Sequence, residues 1–326
     1  MKLVKNLLKR LLPGALLKPL VSVFHFLQAL AANAFYGFPA RGMKVIGITG
    51  TNGKTTTAAF LGKIIEQSGQ SVAINSTAFF QVGKRTVPND TNMTVTDPFR
   101  LFKIIREFRR ARVDWVVLEV TSHALSQHRT LGVKFFGAVM TNLTQDHLDY
   151  HGTMEAYAAA KAKLFRRARN LAVLNRDDSW FEFFKKASRT PKIITYGTKT
   201  SVDCRIVAAK LTPNGSQLKL KLERSLIEPQ IKLVGKFNVY NALAAASAAY
   251  GIGIEPEVIS EGLEALQSVP GRMEVVKVKQ GFKVVVDYAH TADALANVLE
   301  SLRGVTRGRI ITVFGATGDR DKSKRP

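Results

Sequence analysis

Residues 45–57 read VIGITGTNGKTTT, and the reading of this stretch decides the fold. A short apolar run, Val45, Ile46 and Ile48, rises into Gly47, Gly50 and Gly53, followed by Lys54 and three threonines, after which Ala58, Leu61, Ile64 and Ile65 recur at helical spacing. The order is strand, glycine loop, helix. Glycines let successive backbone N–H groups aim at one phosphate, the helix N-terminus adds its positive dipole end, Lys54 supplies a cation and Thr55 can hold a magnesium ion. Gly50, Thr51, Asn52, Gly53, Lys54, Thr55 and Thr56 are therefore the candidate triphosphate-binding residues. The common phosphate loop has four residues between its first glycine and the Gly-Lys pair, whereas five separate Gly47 from Gly53 here. A plain glycine-rich turn would have no need of a Lys-Thr pair opening a helix.

The chain of 326 residues is long enough for two or three domains, and its 46% hydrophobic content supports packed cores rather than disorder. The single cysteine, Cys204, excludes a disulfide framework and a CxxC metal knuckle, and fits a reducing cytosol. A net charge of +23 favours phosphate-rich partners: nucleotides, nucleic acid or anionic lipid. No Asp or Glu occurs before Glu66, and the first 36 residues mix Lys2, Lys5, Lys9, Arg10 and Lys18 with an apolar set ending in HFLQALAANAFYGFP. Two readings stand for this segment. One is a basic amphipathic helix on the inner membrane surface; the other is a helix packed on the following domain through Phe24, Leu27, Leu30, Ala31 and Phe35. His25, Gln28 and Asn33 interrupt the uncharged run, and no small-residue cleavage site marks a signal peptide.

Beyond the glycine loop, apolar runs at 71–74, 115–120, 137–140 and 171–174 alternate with helical patterns, notably 99–112 and 154–169. Such alternation implies a mostly parallel sheet covered by helices, with ligands at the carboxyl ends of the strands. Residues 192–234 read as shorter β runs around Pro213-Asn214-Gly215, an antiparallel extension, and helices over 238–250 and 255–266 follow. The pattern breaks at Pro270-Gly271, and a strand over 282–287 opens another unit. The expected organisation is a basic helical segment over 1–40, an α/β nucleotide-binding domain over 41–270, and the start of a second α/β, Rossmann-like domain over 271–326. Glu119 ends a strand facing the phosphate loop and is placed to hold magnesium; His147 lies past the next strand, and Lys161 follows on a helix. Taken singly, each has an ordinary explanation as a strand-end carboxylate, a loop histidine or a solvent-facing lysine.

GITGTNGKTTT, LEVTSHALSQHR, MTNLTQDHLDYHGTMEAYAAAKAKLF, LVGKFNVYNALAAASAA, VPGRME, VVDYAHTADAL and FGATGDRDKSKRP occur in this order. Together they resemble the Mur ligases of peptidoglycan synthesis, closest to the tripeptide-forming MurE branch, over about residues 41–326. The resemblance implies an ATP-dependent ligase that adds a free amino acid to a UDP-N-acetylmuramoyl-dipeptide through an acyl phosphate, with Mg2+, in the cytoplasm, and with no nucleic-acid partner. Lys54 would cradle the β- and γ-phosphates, Thr55 and Glu119 would hold one magnesium, and His147 with Glu119 the second. Lys161 sits where the family carries a carbamylated lysine, an anion that supports that second metal. Asn241, with Asn238 beside it, would meet the adenine; Arg272 and Asp287 would contact the phosphates and ribose across a junction that closes over ATP. Thr94 and the stretch to Pro98, with Ser122, His123 and Arg129, would face the muramoyl dipeptide.

Two departures from the family pattern shape the expectation. The usual uridine-gripping first domain is replaced by the basic helical segment, and the chain stops just after the DRDK motif. The sequence therefore suggests ATP binding with little ligation by these residues alone. A folylpolyglutamate or cyanophycin-type ligase would share the phosphate loop and metal site, and a non-catalytic cell-wall scaffold would need neither. The DHLDYHGTMEAYAAAKAKLF and DRDKSKRP runs favour the Mur branch, and Lys54, Glu119, His147 and Lys161 together argue against a scaffold.

Overall fold

A computed structural model describes residues 14–89, 94–95, 97–276, 278–279 and 281–315. The DRDK motif at 319–322, Thr96, and the basic residues before residue 14 lie outside the described residues. The strands are β1 (Lys44–Thr49), β2 (Val72–Asn75), β3 (Phe79–Val82), β4 (Arg85–Pro88), β5 (Trp115–Glu119), β6 (Phe135–Met140), β7 (Leu171–Asn175), β8 (Lys192–Gly197), β9 (Cys204–Thr212), β10 (Gly215–Leu222), β11 (Ser225–Ile227) and β12 (Gln230–Ile231). They form one twelve-stranded sheet, ordered β11-β10-β9-β8-β7-β6-β1-β5-β2-β3-β4, with β12 beside β10. From β2 across β5, β1, β6, β7 and β8 to β9 every neighbouring pair is parallel, and antiparallel pairing is confined to the two ends. This is the mostly parallel α/β sheet that the alternation predicts.

The apolar runs of the central strands bury both faces, as a parallel sheet requires. Ile46, Ile48, Val117, Val139 and Val173 point into a core shared with the helices Lys54–Gln67, Lys236–Gly251 and Pro256–Ala265. Val45, Val116, Leu118, Ala138, Met140 and Leu174 point the other way, against Pro98–Arg110, Met154–Arg167 and Phe181–Ala187. Consecutive residues therefore serve opposite cores, and the carboxyl ends of β1, β5 and β6 converge on one edge.

Two expectations need correction. The 192–234 region is only partly antiparallel: β8 runs parallel to β7 over five register pairs, because the helix Phe181–Ala187 returns the chain in a βαβ crossover, and the antiparallel extension begins with β9 and β10. The N-terminal helix, Gly14–Phe35, does pack on the domain, but not through the large residues. Ala29, Ala32 and Asn33 are the buried positions, whereas Phe24, Leu27, Leu30 and Phe35 are exposed and Ala31 faces water with them. Close approach selects the small side chains: the Asn33 amide lies where a Cβ on Gly132 would sit, only 1.9 Å from that point. Ala32→Glu is therefore expected to destabilise the protein by about 3 kcal/mol or more, since a carboxylate would be buried without a partner. Leu27→Glu should change stability by no more than ~0.5 kcal/mol in the same denaturant titration.

After the helix Pro256–Ala265, β13 (Glu274–Val276) and β14 (Val284–Val286) make a separate antiparallel pair, and the helix Ala292–Val305 follows. The sequence marked the second of these strands but neither the first nor the helix.

Candidate active site

The glycine loop leaves β1 and enters the helix Lys54–Gln67, with Gly53 left-handed at the N-cap, φ 84°. A Cβ there would lie 2.1 Å from Asn241 Oδ1, and one on Gly50 would lie 1.8 Å from Thr141 Oγ1, so both positions require glycine on steric as well as torsional grounds. The loop is held from the β6 edge. Thr51 N donates to Asn142 O (2.9 Å), Asn52 N donates to Asn142 Oδ1 (2.9 Å), and Thr141 Oγ1 donates to Asn52 O (2.6 Å). Its inward carbonyls are capped by two lysines: Lys54 Nζ donates to Gly50 O and Thr51 O, and Lys161 Nζ donates to Gly50 O at 2.7 Å.

Glu119, the last residue of β5, is 2% exposed and accepts hydrogen bonds from Thr55 Oγ1 (2.8 Å), Thr77 N (2.9 Å) and Thr77 Oγ1 (2.9 Å), with Lys54 Nζ at 4.0 Å. Thr77 in turn shares a 2.6 Å hydrogen bond with Thr94. The carboxylate thus links the phosphate loop to the segment expected to meet the acceptor. Arg129 sits on the same side, where it donates to Val95 O and to Gln127 Oε1.

Lys161 lies on the helix Met154–Arg167, whose N-cap Thr153 accepts a hydrogen bond from Ala156 N through its hydroxyl. The side chain is 1% exposed, over the Tyr157 ring at 4.6 Å. Burial, and then the Lys54 charge, hold its pKa well below the usual lysine value, against the opposing pull of Asp146 and Glu119. Lys54 is lowered as well, chiefly by burial, with Arg272 adding to the effect and Glu119 opposing it. His147 has a left-handed backbone (φ 55°), stands 3.4 Å from Asp146, and packs its ring edge-on against His123 at 4.7 Å. His123 is lowered by burial and by Arg129, and His151, within 3.0 Å of the Ser122 hydroxyl, is lowered to about 4, first by burial and then by His123.

Across the 270 junction, Arg272 stacks on Tyr288 at 4.4 Å and donates to Thr55 Oγ1 at 3.2 Å, and Asp287 accepts from Met273 N and Ala289 N. Apart from Asn238 and the 96–98 end of the acceptor stretch, the residues put forward from sequence line one cavity of about 710 Å³; Asn238 stands behind it and accepts a hydrogen bond from Asn241 at 3.1 Å. Sequence reasoning missed Thr77, Asp146, Tyr157 and Asp293. Asp146 carried a signal, since it precedes His147 in QDHLDYHG; the other three are brought in by tertiary packing. Asp293 Oδ2 accepts from Asn52 Nδ2 at 2.9 Å and from Thr144 Oγ1 at 3.4 Å, tying the helix Ala292–Val305 to the tip of the phosphate loop. Asp293→Ala should weaken ATP binding about 3- to 10-fold, the worth of one exposed hydrogen bond. In a double-mutant cycle, Asn52→Ala should add little to that loss in calorimetric titrations.

The donors fit a magnesium ion: a hydroxyl and a carboxylate, hard oxygens, meet beside a phosphate cradle at Thr55 and Glu119. Among the described residues no three His, Cys, Asp or Glu side chains are grouped to hold a metal ion by themselves.

Comparison with known proteins agrees with this geometry. Residues 48–249 match the family model described as Mur ligase middle domain, and 271–326 match Mur ligase, glutamate ligase domain. The UDP-N-acetylmuramoyl-L-alanyl-D-glutamate–2,6-diaminopimelate ligase of Syntrophomonas wolfei is 41% identical over 304 residues, covering 92% of this chain and 61% of that protein. Its counterpart from Geobacillus kaustophilus is 40% identical over 315 residues, covering 94% and 64%. A solved structure of a ligase of the same name superposes with TM-score 0.72 at 35% identity, over 88% of this chain and 59% of the other. A Mycobacterium tuberculosis folylpolyglutamate synthase with ADP shares the fold, with TM-score 0.71 at 20% identity over 85% and 69%. The chain spans about three-fifths of the length of the curated relatives it matches. With the middle-domain model matched across 48–249 and the phosphate loop, Glu119 and Lys161 gathered in one cavity, the chain belongs to the Mur ligase family.

Proposed function

We propose that this cavity is the site of an ATP-dependent ligase that joins a free amino acid to a UDP-N-acetylmuramoyl-dipeptide. The observation that carries the reading is the link from Thr55 through Glu119 and Thr77 to Thr94, which puts the phosphate loop and the acceptor segment on one carboxylate. The acceptor carboxylate would attack the γ-phosphorus, releasing ADP and leaving an acyl phosphate; the incoming amine would then displace phosphate and lose a proton. Lys54 and the loop N–H groups neutralise the phosphates, and Arg129, fixed by Val95 and Gln127, faces the acceptor's carboxylates. Asn241 would meet the adenine, and Arg272 and Asp287 the phosphates and ribose. Two magnesium ions, one held by Thr55 and Glu119 and the other by Glu119 and His147, would supply charge neutralisation as the triphosphate and a carboxylate are brought together.

Lys161 belongs to the same proposal as a carbamate. With its pKa lowered, the Lys161 amine is available in the neutral form and can add to carbon dioxide, forming an N–C bond and releasing one proton, which would put an anion beside the metal. The reaction would take place in the cytoplasm, with residues 1–36 in peripheral contact with the inner face of the membrane.

Phosphate release measured with the muramoyl dipeptide and a panel of amino acids tests the reading. Release requiring both supports it, and would overturn the expectation that these residues alone ligate little. Release with a folate acceptor instead would assign the site to a folylpolyglutamate-type ligase, whose fold this chain shares.

A further inference from the structure

The helix Gly14–Phe35 packs one face on the domain and leaves a row of large apolar side chains in water. Ser22, Phe26, Ala29 and Asn33, spaced i, i+4, i+7 and i+11, face the domain: Ser22 Oγ lies 3.3 Å from His128 Nε2, Phe26 packs edge-on to the same ring, and Ala29 and Asn33 are buried. Leu20, Val23, Leu27 and Leu30 line the far side, with Phe24 beside them, each 43–55% exposed. A row of large side chains left in water at strict helical spacing is rare on a folded domain unless something covers it.

Charge indicates what covers it. At its C-terminal end the stripe runs through Phe35 onto Phe99, their ring centroids 6.1 Å apart. Phe99 opens a second line at i, i+4, i+7 and i+11 on the helix Pro98–Arg110, and the other three members are Lys103, Arg106 and Arg110, all exposed. Arg109, also exposed, bonds Phe38 O at 3.3 Å and fixes this helix against the turn that ends the first. No acidic residue occurs before Glu66, and Glu107 is the only one on the second helix.

We propose that these two helices form one docking face for an anionic lipid surface, with the first helix lying in the interfacial plane and the second placing its cations at headgroup level. An apolar row bordered by a cationic row matches a surface that is apolar below and anionic above. A second copy of the chain fits badly, because it would set two identical cationic rows against each other in molecules of +23 charge. No described helix is long and apolar enough to cross a membrane. This gives the proposed peripheral contact a defined orientation over the helix Gly14–Phe35 and adds a second helix to it.

Cosedimentation with phosphatidylcholine vesicles, with and without phosphatidylglycerol, tests the face on the full chain without nucleotide or acceptor. The outcome is therefore independent of the ligase reading. The wild type should bind only the anionic vesicles and be released by salt. Lys103→Glu/Arg106→Glu/Arg110→Glu should lower partitioning roughly 100-fold, and Val23→Glu/Leu27→Glu should abolish it, with thermal melts showing that both variants stay folded. Equal binding to neutral vesicles, or wild-type binding by either variant, would overturn the proposal. So would a lipid-free dimer dispersed by Val23→Glu/Leu27→Glu, which would assign the stripe to a second copy.

Discussion

Glu119→Gln is expected to lower acceptor-dependent phosphate release by about 10²–10³-fold or more, the scale on which removal of one preorganised charge-stabilising group is felt. The fold should survive, and the hydrogen bonds show why. An amide with its oxygen at the Oε2 position still accepts from Thr55 Oγ1 and Thr77 N, while its NH2 can donate to Thr77 Oγ1, whose hydroxyl can turn to Thr94. Only the charge is lost, with Lys54 4.0 Å away. The thermal midpoint should therefore move little while magnesium-dependent turnover disappears. Wild-type activity at ordinary magnesium would remove Glu119 from the site.

Lys161 gives the second large effect, because stability and activity should move in opposite directions. Lys161→Ala should lose at least about 10²-fold in turnover, and a small carboxylate should restore part of it by standing in for the carbamate. Lys161→Met, which fills the same space without a charge, should be equally inactive yet more stable by about 1 kcal/mol near neutral pH, the removed desolvation penalty exceeding the lost bond to Gly50 O. The sign with pH follows from the lowered folded-state pKa of the unmodified amine. In the range between that lowered value and the unfolded value of 10.5, the unfolded chain binds more protons, so wild-type stability rises with pH. The advantage of the methionine variant should be full at low pH and fade as pH approaches 10.5. A stability difference that grows with pH would mean that Lys161 is not a desolvated amine. An unmodified lysine in a high-resolution map of the magnesium-bound protein would count against the carbamate.

Much of this molecule was legible because its signals are local. The strand-loop-helix at 45–57 and the runs that became β5, β6 and β7 are read from periodicity and glycine placement, within a residue or two of their ends. What was not legible is what distance brings together. β3 and β4 are four-residue strands turning at Gly83, too short for a periodic signal, and they exist because β2 offers them an edge. Thr77 and Glu119 are 42 residues apart and Asn52 and Asp293 are 241 apart, so neither contact leaves a trace in local sequence. The N-terminal helix shows a different limit. Both of its faces are apolar, and hydrophobicity pointed to the larger residues, whereas close backbone approach at Gly132 chose Ala29, Ala32 and Asn33.

The central claim is that this cavity binds ATP through the phosphate loop with magnesium held at Thr55 and Glu119. Calorimetric titration of the chain with a non-hydrolysable ATP analogue, with magnesium and with chelator, tests it most directly. The account predicts saturable one-site binding that requires magnesium and is lost in Lys54→Ala. Binding that ignores both the metal and Lys54, or no binding at all, would contradict it.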